Sequence, residues 1–379
     1  MTQDKEHNYF LINIKVELLK YNYKLVVCLK TISVGVDEMA GIWLNQGILI
    51  NELSEISGYK TGLCLTLKEM KAFIGTDEIS KLFSDNLNSG IRIRPEEYEM
   101  LYFRIIRGSG HIPTNSIDPS PYIGISLFNK YKNDPQKLDV FTEVYSLFPA
   151  WIKRETERAI KCGKKSISPE WFINENSIKH GTLGLNMSLE IVNHLVNYEE
   201  ISPWNSVRRV NWINTIDLKN LFYSESLDTF YGSFLDQRYI DYLSNHLDDI
   251  GNINWRKFEG LTCEYFQKQG YYVQIGSGRN DGGIDARIWK TDQDKENPPL
   301  IIVQCKRQKS KVEKVVVKAL WADMHYEKAK SGLIVTSSEV SEGAKNDCSA
   351  RGYNINFAER KTLDKWIEEL RTPYTGIIL

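Results

Sequence analysis

Ile12, Ile14, Val16 and Leu18 occupy alternate positions, a spacing that puts their side chains on one face of a strand. Tyr21-Asn22-Tyr23 marks a turn and Lys24 to Ile32 the returning strand, so a hairpin is predicted near the start. Gly47 to Ile50 reads as a further strand. From Leu65 to about Ile106 the spacing becomes helical, over Leu67–Phe73, Glu78–Leu87 and Pro95–Ile106, where Pro95 suits a first helical turn. Gly108 to Gly124, rich in Gly, Pro and Ser, reads as a loop. Residues 139–161 and 185–198 are helical again, and 235–249 read as a connecting helix. Between them lies an aromatic, irregular stretch containing Trp204, Trp212, Phe222, Tyr223, Phe230 and Tyr231.

The pattern then carries chemistry. Trp255 to Gln269 is an amphipathic helix with Phe258, Leu261, Tyr265 and Phe266 on its apolar stripe and Gly270 as its stop. Leu300 to Lys306 is a short apolar run that reads as a buried strand. Gln304 and Lys306 leave that strand on the same side. Burying an ammonium without a partner costs several kcal/mol or more, and Asp285, on the preceding strand, is the expected partner. A carboxylate, an amide oxygen and a lysine on adjacent strands suit a hard cation such as Mg²⁺, with Mn²⁺ as substitute. Such a site hydrolyses phosphodiesters. Glu259, at the edge of the helix stripe, is the preferred third carboxylate, and Glu264 competes with it.

The order Phe258-Glu259, Gly270-Tyr271, Asp281-Gly-Gly-Ile-Asp285 and Gln304-Cys-Lys306-Arg307 resembles the Mrr-like restriction endonucleases, a branch of the PD-(D/E)XK nucleases. Gly332 to Thr336 and Asn354 to Phe357 look like that family's next strands, with Ala344 to Gly352 as the helix between them. The resemblance covers roughly residues 252 to 371. It implies metal-dependent DNA cleavage, with Asp285, Gln304 and the Cys305 backbone carbonyl as metal ligands, Lys306 orienting water, and Glu259 acting on the metal through water. Gln304 stands where most of the superfamily has Asp or Glu, which removes one charge from the ligand set.

Each residue also has a plainer reading. Asp281-Gly282 is a turn signal in its own right, and Gly282 and Gly283 let a chain bend. Lys306 can be a strand-end surface lysine and Glu259 a solvated helix residue. Chance would have to reproduce all four blocks in order.

At 379 residues the chain is long for one domain. No run of eighteen apolar residues occurs, and the polar N-terminus lacks a secretory apolar core. Six cysteines without C-x-x-C spacing fit neither a zinc site nor a disulfide framework, so a reducing, cytoplasmic setting is expected. Residues 1–250 carry 27 Lys and Arg against 32 Asp and Glu, a net −5, whereas residues 251–379 carry 21 against 17, a net +4. Arg279, Arg307, Lys309 and Lys311 are the candidate DNA contacts. The alternative for that basic run is a solvated loop. His111 and His180, without partners at metal-ligand spacing, read as surface histidines.

The expected fold is α/β: a C-terminal mixed sheet flanked by helices, with the active site at the sheet's edge. An unrecognised α+β domain spans residues 1–230, with a possible internal break at 108–124; 231–251 is the connector and 252–379 the nuclease. The expected activity is a Mg²⁺-dependent endodeoxyribonuclease in prokaryotic restriction or anti-phage defence. Cutting both strands asks for a homodimer or higher oligomer. One rival is an effector nuclease switched on when a ligand or partner binds the N-terminal domain. The other is a non-catalytic nucleic-acid-binding module. No membrane partner is expected.

Overall fold

The computed structural model of the chain describes residues 41–77, 81, 87–114, 123–164, 166–204, 206–278 and 283–371. The hairpin expected over 12–32, most of the helix expected over 78–87, Arg279 and Asp281-Gly282 lie outside these residues.

The C-terminal part is built on a five-stranded mixed sheet. In chain order it runs α1 (Trp255–Lys268), β1 (Tyr272–Ile275), β2 (Ala286–Trp289), β3 (Ile301–Lys306), α2 (Lys314–Glu327), β4 (Ser331–Thr336), α3 (Glu342–Ala350), β5 (Ile355–Ala358) and α4 (Arg360–Leu370). The strands lie in the order β1-β2-β3-β4-β5. β1, β2 and β3 pair antiparallel, whereas β3, β4 and β5 pair parallel. Parallel neighbours need crossovers, and α2 and α3 supply them. One face of the sheet, through Ile302, Ile334 and Ile355, packs on Val317, Leu320 and Met324 of α2 and Ala344 and Cys348 of α3. Side chains alternate across a strand, so Cys305 faces the other way, where its thiol meets Thr262 of α1 at 3.6 Å. Helices therefore cover both faces, as expected for an α/β core.

Asn254 caps α1 by accepting from the Arg256 N–H at 2.8 Å. The helix stops at Gln269, and Gly270 follows with φ 87°, a conformation that favours glycine. Tyr265 stacks on Trp366 with ring centroids 4.2 Å apart, which fixes α4 against α1.

Among the described residues, packing divides the chain into two compact units, one within 43–116 and 212–371, the other within 123–211. Segments 43–116 and 231–251, assigned from sequence to an N-terminal domain and a connector, therefore belong by packing to the unit that holds the sheet. There Leu63-Cys64 pairs parallel with Ile216-Asp217. Arg238, 1% exposed, grips Asp236 at 2.7 Å and the Asn214 carbonyl at 2.8 Å.

Gly47 to Ile50 is not a strand. It opens the helix Gln46–Thr61, where Asn45 accepts from the Gly47 N–H at 2.7 Å and Leu49, Ile50 and Leu53 turn inward at helical spacing. Four apolar residues are too few to reveal their period. The helices expected at 67–73, 95–106 and 139–161 form as Leu67–Ile74, Pro95–Gly108 and Pro135–Lys161. In the other unit the helix at 185–198 is part of Glu170–Ile201, which bends at Gly181 (φ 60°, ψ −144°). Its core stacks Trp151 on Phe172 with centroids 4.9 Å apart. His180, expected at the surface, is 12% exposed and lies 3.3 Å from the Glu143 carboxylate. Among the described residues no helix is long and apolar enough to cross a membrane.

Candidate active site

The site forms where β2 begins and β3 ends. These are the second and third strands of five, and the candidate residues gather at their ends. Asp285 precedes β2 directly. Its N–H donates to the Val303 carbonyl at 2.9 Å and its own carbonyl accepts from Gly276 at 2.8 Å, so its backbone is locked into the sheet. One carboxylate oxygen, Oδ2, accepts from the Cys305 N–H at 2.5 Å. Gly283, two residues earlier, has φ 88°, and a Cβ there would stand 3.3 Å from Gln304 Nε2. Glycine thus supplies both the bend and the room for the Gln304 side chain.

Glu259 enters from α1. It is 5% exposed and faces the Asp285 carboxyl closely enough for the two charges to interact. Burial, then the Asp285 charge, pushes its carboxyl up to about 8, while Arg256 opposes the rise. Arg256 Nη1 lies 2.7 Å from Glu259 Oε2, and its Nη2 donates to the Gly276 carbonyl at 2.8 Å. Sequence reasoning missed Arg256, although its position three residues before Glu259 on one helix was the available signal. Glu264 points elsewhere: its Oε2 accepts from the N–H groups of Ser233, Phe234 and Leu235 at 2.8, 2.6 and 3.2 Å.

Gln304 is 6% exposed, and its Oε1 is buried without a hydrogen-bond partner among the described residues. An orphaned buried oxygen costs on the order of 1–3 kcal/mol, so it marks a place where another group belongs. Two buried carboxyl groups, Glu259 and Asp285, beside an amide oxygen left unpaired, fit a hard cation. Among the described residues no three His, Cys, Asp or Glu side chains cluster as a metal site. The set has two carboxylates, and the third oxygen is an amide.

Lys306 is half-buried and makes no ion pair with Asp285. Its carbonyl accepts from Thr336 Oγ1 at 2.9 Å, which fixes the strand end. The Cys305 thiol is buried, and burial pushes its pKa well up, so it stays a neutral packing group.

The basic run divides by partner. Arg307 donates to the Ile253 carbonyl at 2.7 Å, and Lys311 lies 2.9 Å from Glu339. Lys309 is exposed.

Residues 250–367 match the family model described as restriction endonuclease. No curated protein matches. Among solved structures, the MspJI restriction endonuclease in complex with a 27-mer oligonucleotide is 20% identical, with a TM-score of 0.26. That similarity covers 36% of this chain and 32% of the other, so about a third of each.

Proposed function

We propose, from a restriction-endonuclease domain at residues 250–367, that the protein is a Mg²⁺-dependent endonuclease that hydrolyses DNA phosphodiester bonds in restriction or related defence. The observation that carries this reading is the buried carboxyl pair Glu259 and Asp285 beside the orphaned Gln304 Oε1, with Lys306 two residues along the same strand.

Asp285, Gln304 Oε1 and the Cys305 carbonyl would hold the ion, and Glu259 would act on it through water. A bound Mg²⁺ makes water more acidic and steadies phosphate charge. The chain's own residues do the rest. The Cys305 N–H keeps the Asp285 carboxylate oriented. Arg256 keeps Glu259 turned into the site. The Lys306 ammonium holds the attacking water and donates to the phosphate oxygen as charge grows there. Lys309, exposed beyond the catalytic strand, contacts the DNA backbone.

The test is incubation of supercoiled plasmid with purified protein. Nicked or linear product is expected with Mg²⁺ or Mn²⁺ and none with excess EDTA. Cleavage that persists in chelator would refute the reading.

A further inference from the structure

The outward face of α2 is apolar although nothing among the described residues covers it. Val315 is 71% and Tyr326 88% exposed, and Ala319 and Ala322 are exposed between them. The spacing 315, 319, 322, 326 alternates four and three residues, which is the seam of a two-stranded coiled coil. At about 100° per residue, Lys318 flanks this seam on one side and Asp323 on the other. We propose that a second copy of this chain packs on this face, α2 against α2 in parallel around a two-fold axis along the helices.

Two observations favour a second copy and fix its direction. The first is charge. In a parallel pair, the residue before one seam position lies opposite the residue five further on in the partner. Lys318 therefore meets Asp323 of the partner subunit, twice by symmetry. Neither group is well matched within the chain. Burial and then the neighbouring Glu327 push the Asp323 carboxyl up, and among the described residues no ion pair joins Asp323 to a cation. The acid nearest Lys318, Asp347, is 3.7 Å away and already held by Arg351 at 3.0 Å. An antiparallel pair would set Lys318 against His325 and leave Asp323 facing Val316.

The second observation is topology. β3 and β4 are parallel, so α2 runs back along them and starts at the end of β3 where Lys306 lies. Parallel pairing brings both Lys306 ends, and both Lys309 loops, to one side of the dimer. One duplex can then meet two sites. Antiparallel pairing would point them apart.

Fourteen residues of helix, about 21 Å, bury less than the roughly 1,600 Å² of a standard interface. Association is accordingly weak in free protein and strengthened on a duplex that engages both copies. The role in double-strand cleavage rests on the nuclease reading, whereas the association does not.

Sedimentation equilibrium of the full chain separates the two. It is run alone and with an oligonucleotide duplex, in a Lys306→Ala background that leaves the helix face intact. Lys318→Asp and Asp323→Lys should each weaken self-association at least about tenfold, because like charges then meet twice. Both side chains lie on the outer flanks of the helix, and far-ultraviolet circular dichroism checks folding. Mixing the two variants should restore association as a heterodimer, since both contacts become attractive again. A chain that stays monomeric with and without duplex overturns the proposal. So do single variants that associate like the parent, and a mixture that fails to recover. With Lys306 restored, the mixed variants should give more double-strand breaks relative to nicks than either alone.

Discussion

A carboxylate and an amide play different parts at residue scale. Asp285→Ala should abolish both cleavage and the calorimetric heat of Mg²⁺ binding, because it removes the one carboxylate among the direct ligands, held in place by the Cys305 N–H. Lys306→Ala should cost at least about 100-fold in rate and leave Mg²⁺ binding intact, since the ammonium acts on water and phosphate. A wild-type rate in Lys306→Ala would exclude the lysine from the chemistry. Gln304→Glu should tighten Mg²⁺ while retaining cleavage. Arg256→Met removes the hydrogen bonds to Glu259 Oε2 and the Gly276 carbonyl, and a loss of about 1–3 kcal/mol in urea unfolding is expected. Among the basic residues, Lys309→Ala should lower the salt dependence of DNA binding by about one ion. Lys311→Ala should change it less, because Glu339 already holds that lysine. Asp285, Gln304, Lys306 and Glu259 were visible in sequence because each sits in a short ordered pattern on a readable element. The orphaned state of Gln304 Oε1 was not, because it depends on which helix and which turn close over the strand ends.

Elements with strong periodicity were legible. α1 and β3 form within a residue or two of the expected bounds, since one has a long apolar stripe and the other a dense apolar run. Gly47 to Ile50 misled because its apolar residues suit either period until Asn45 caps the helix. The helix Gln237–Asn245 carries an electrostatic signature that sequence does not reveal. Burial pushes the Asp241 carboxyl up to about 6 despite a hydrogen bond from Gln237 and the charge of Arg371. Between the unfolded carboxyl value near ~4 and about 6, the folded chain keeps a proton that the unfolded chain releases. Stability should therefore fall as pH rises through that window and level off above it. Asp241→Asn should remove the fall and raise stability at pH 7 by up to about 3 kcal/mol. Urea midpoints measured across pH check this, and a parent chain with no decline between pH 4 and 6 would refute it. Glu264→Ala strands three N–H groups at once, and a loss of about 2–3 kcal/mol is expected by the same measurement.

At the scale of the whole molecule, the charge split of −5 before residue 251 and +4 after it assigns bulk phosphate attraction to the C-terminal part. Reversing Lys309 and Lys314 together should lower DNA affinity uniformly across sequences, and a gel-shift series in rising salt reads it. If affinity survives that change, the main DNA contacts lie before residue 251. What the sequence did not disclose was how far the packing behind the catalytic helix extends, since contacts between distant segments leave no periodic trace. The grip of Glu264 on residues 233–235 has a consequence for anyone who would transplant this catalytic domain onto another targeting protein. A breakpoint at residue 250, where the family match begins, would leave Glu264 without the three donors that anchor its helix. It would also leave Lys257 without the Ser226 carbonyl and Lys268 alone to hold Leu370, which Gln237 now shares. The helix that presents Glu259 would arrive in the chimera unmoored, so a graft that keeps its cutting geometry must carry the upstream scaffold with it.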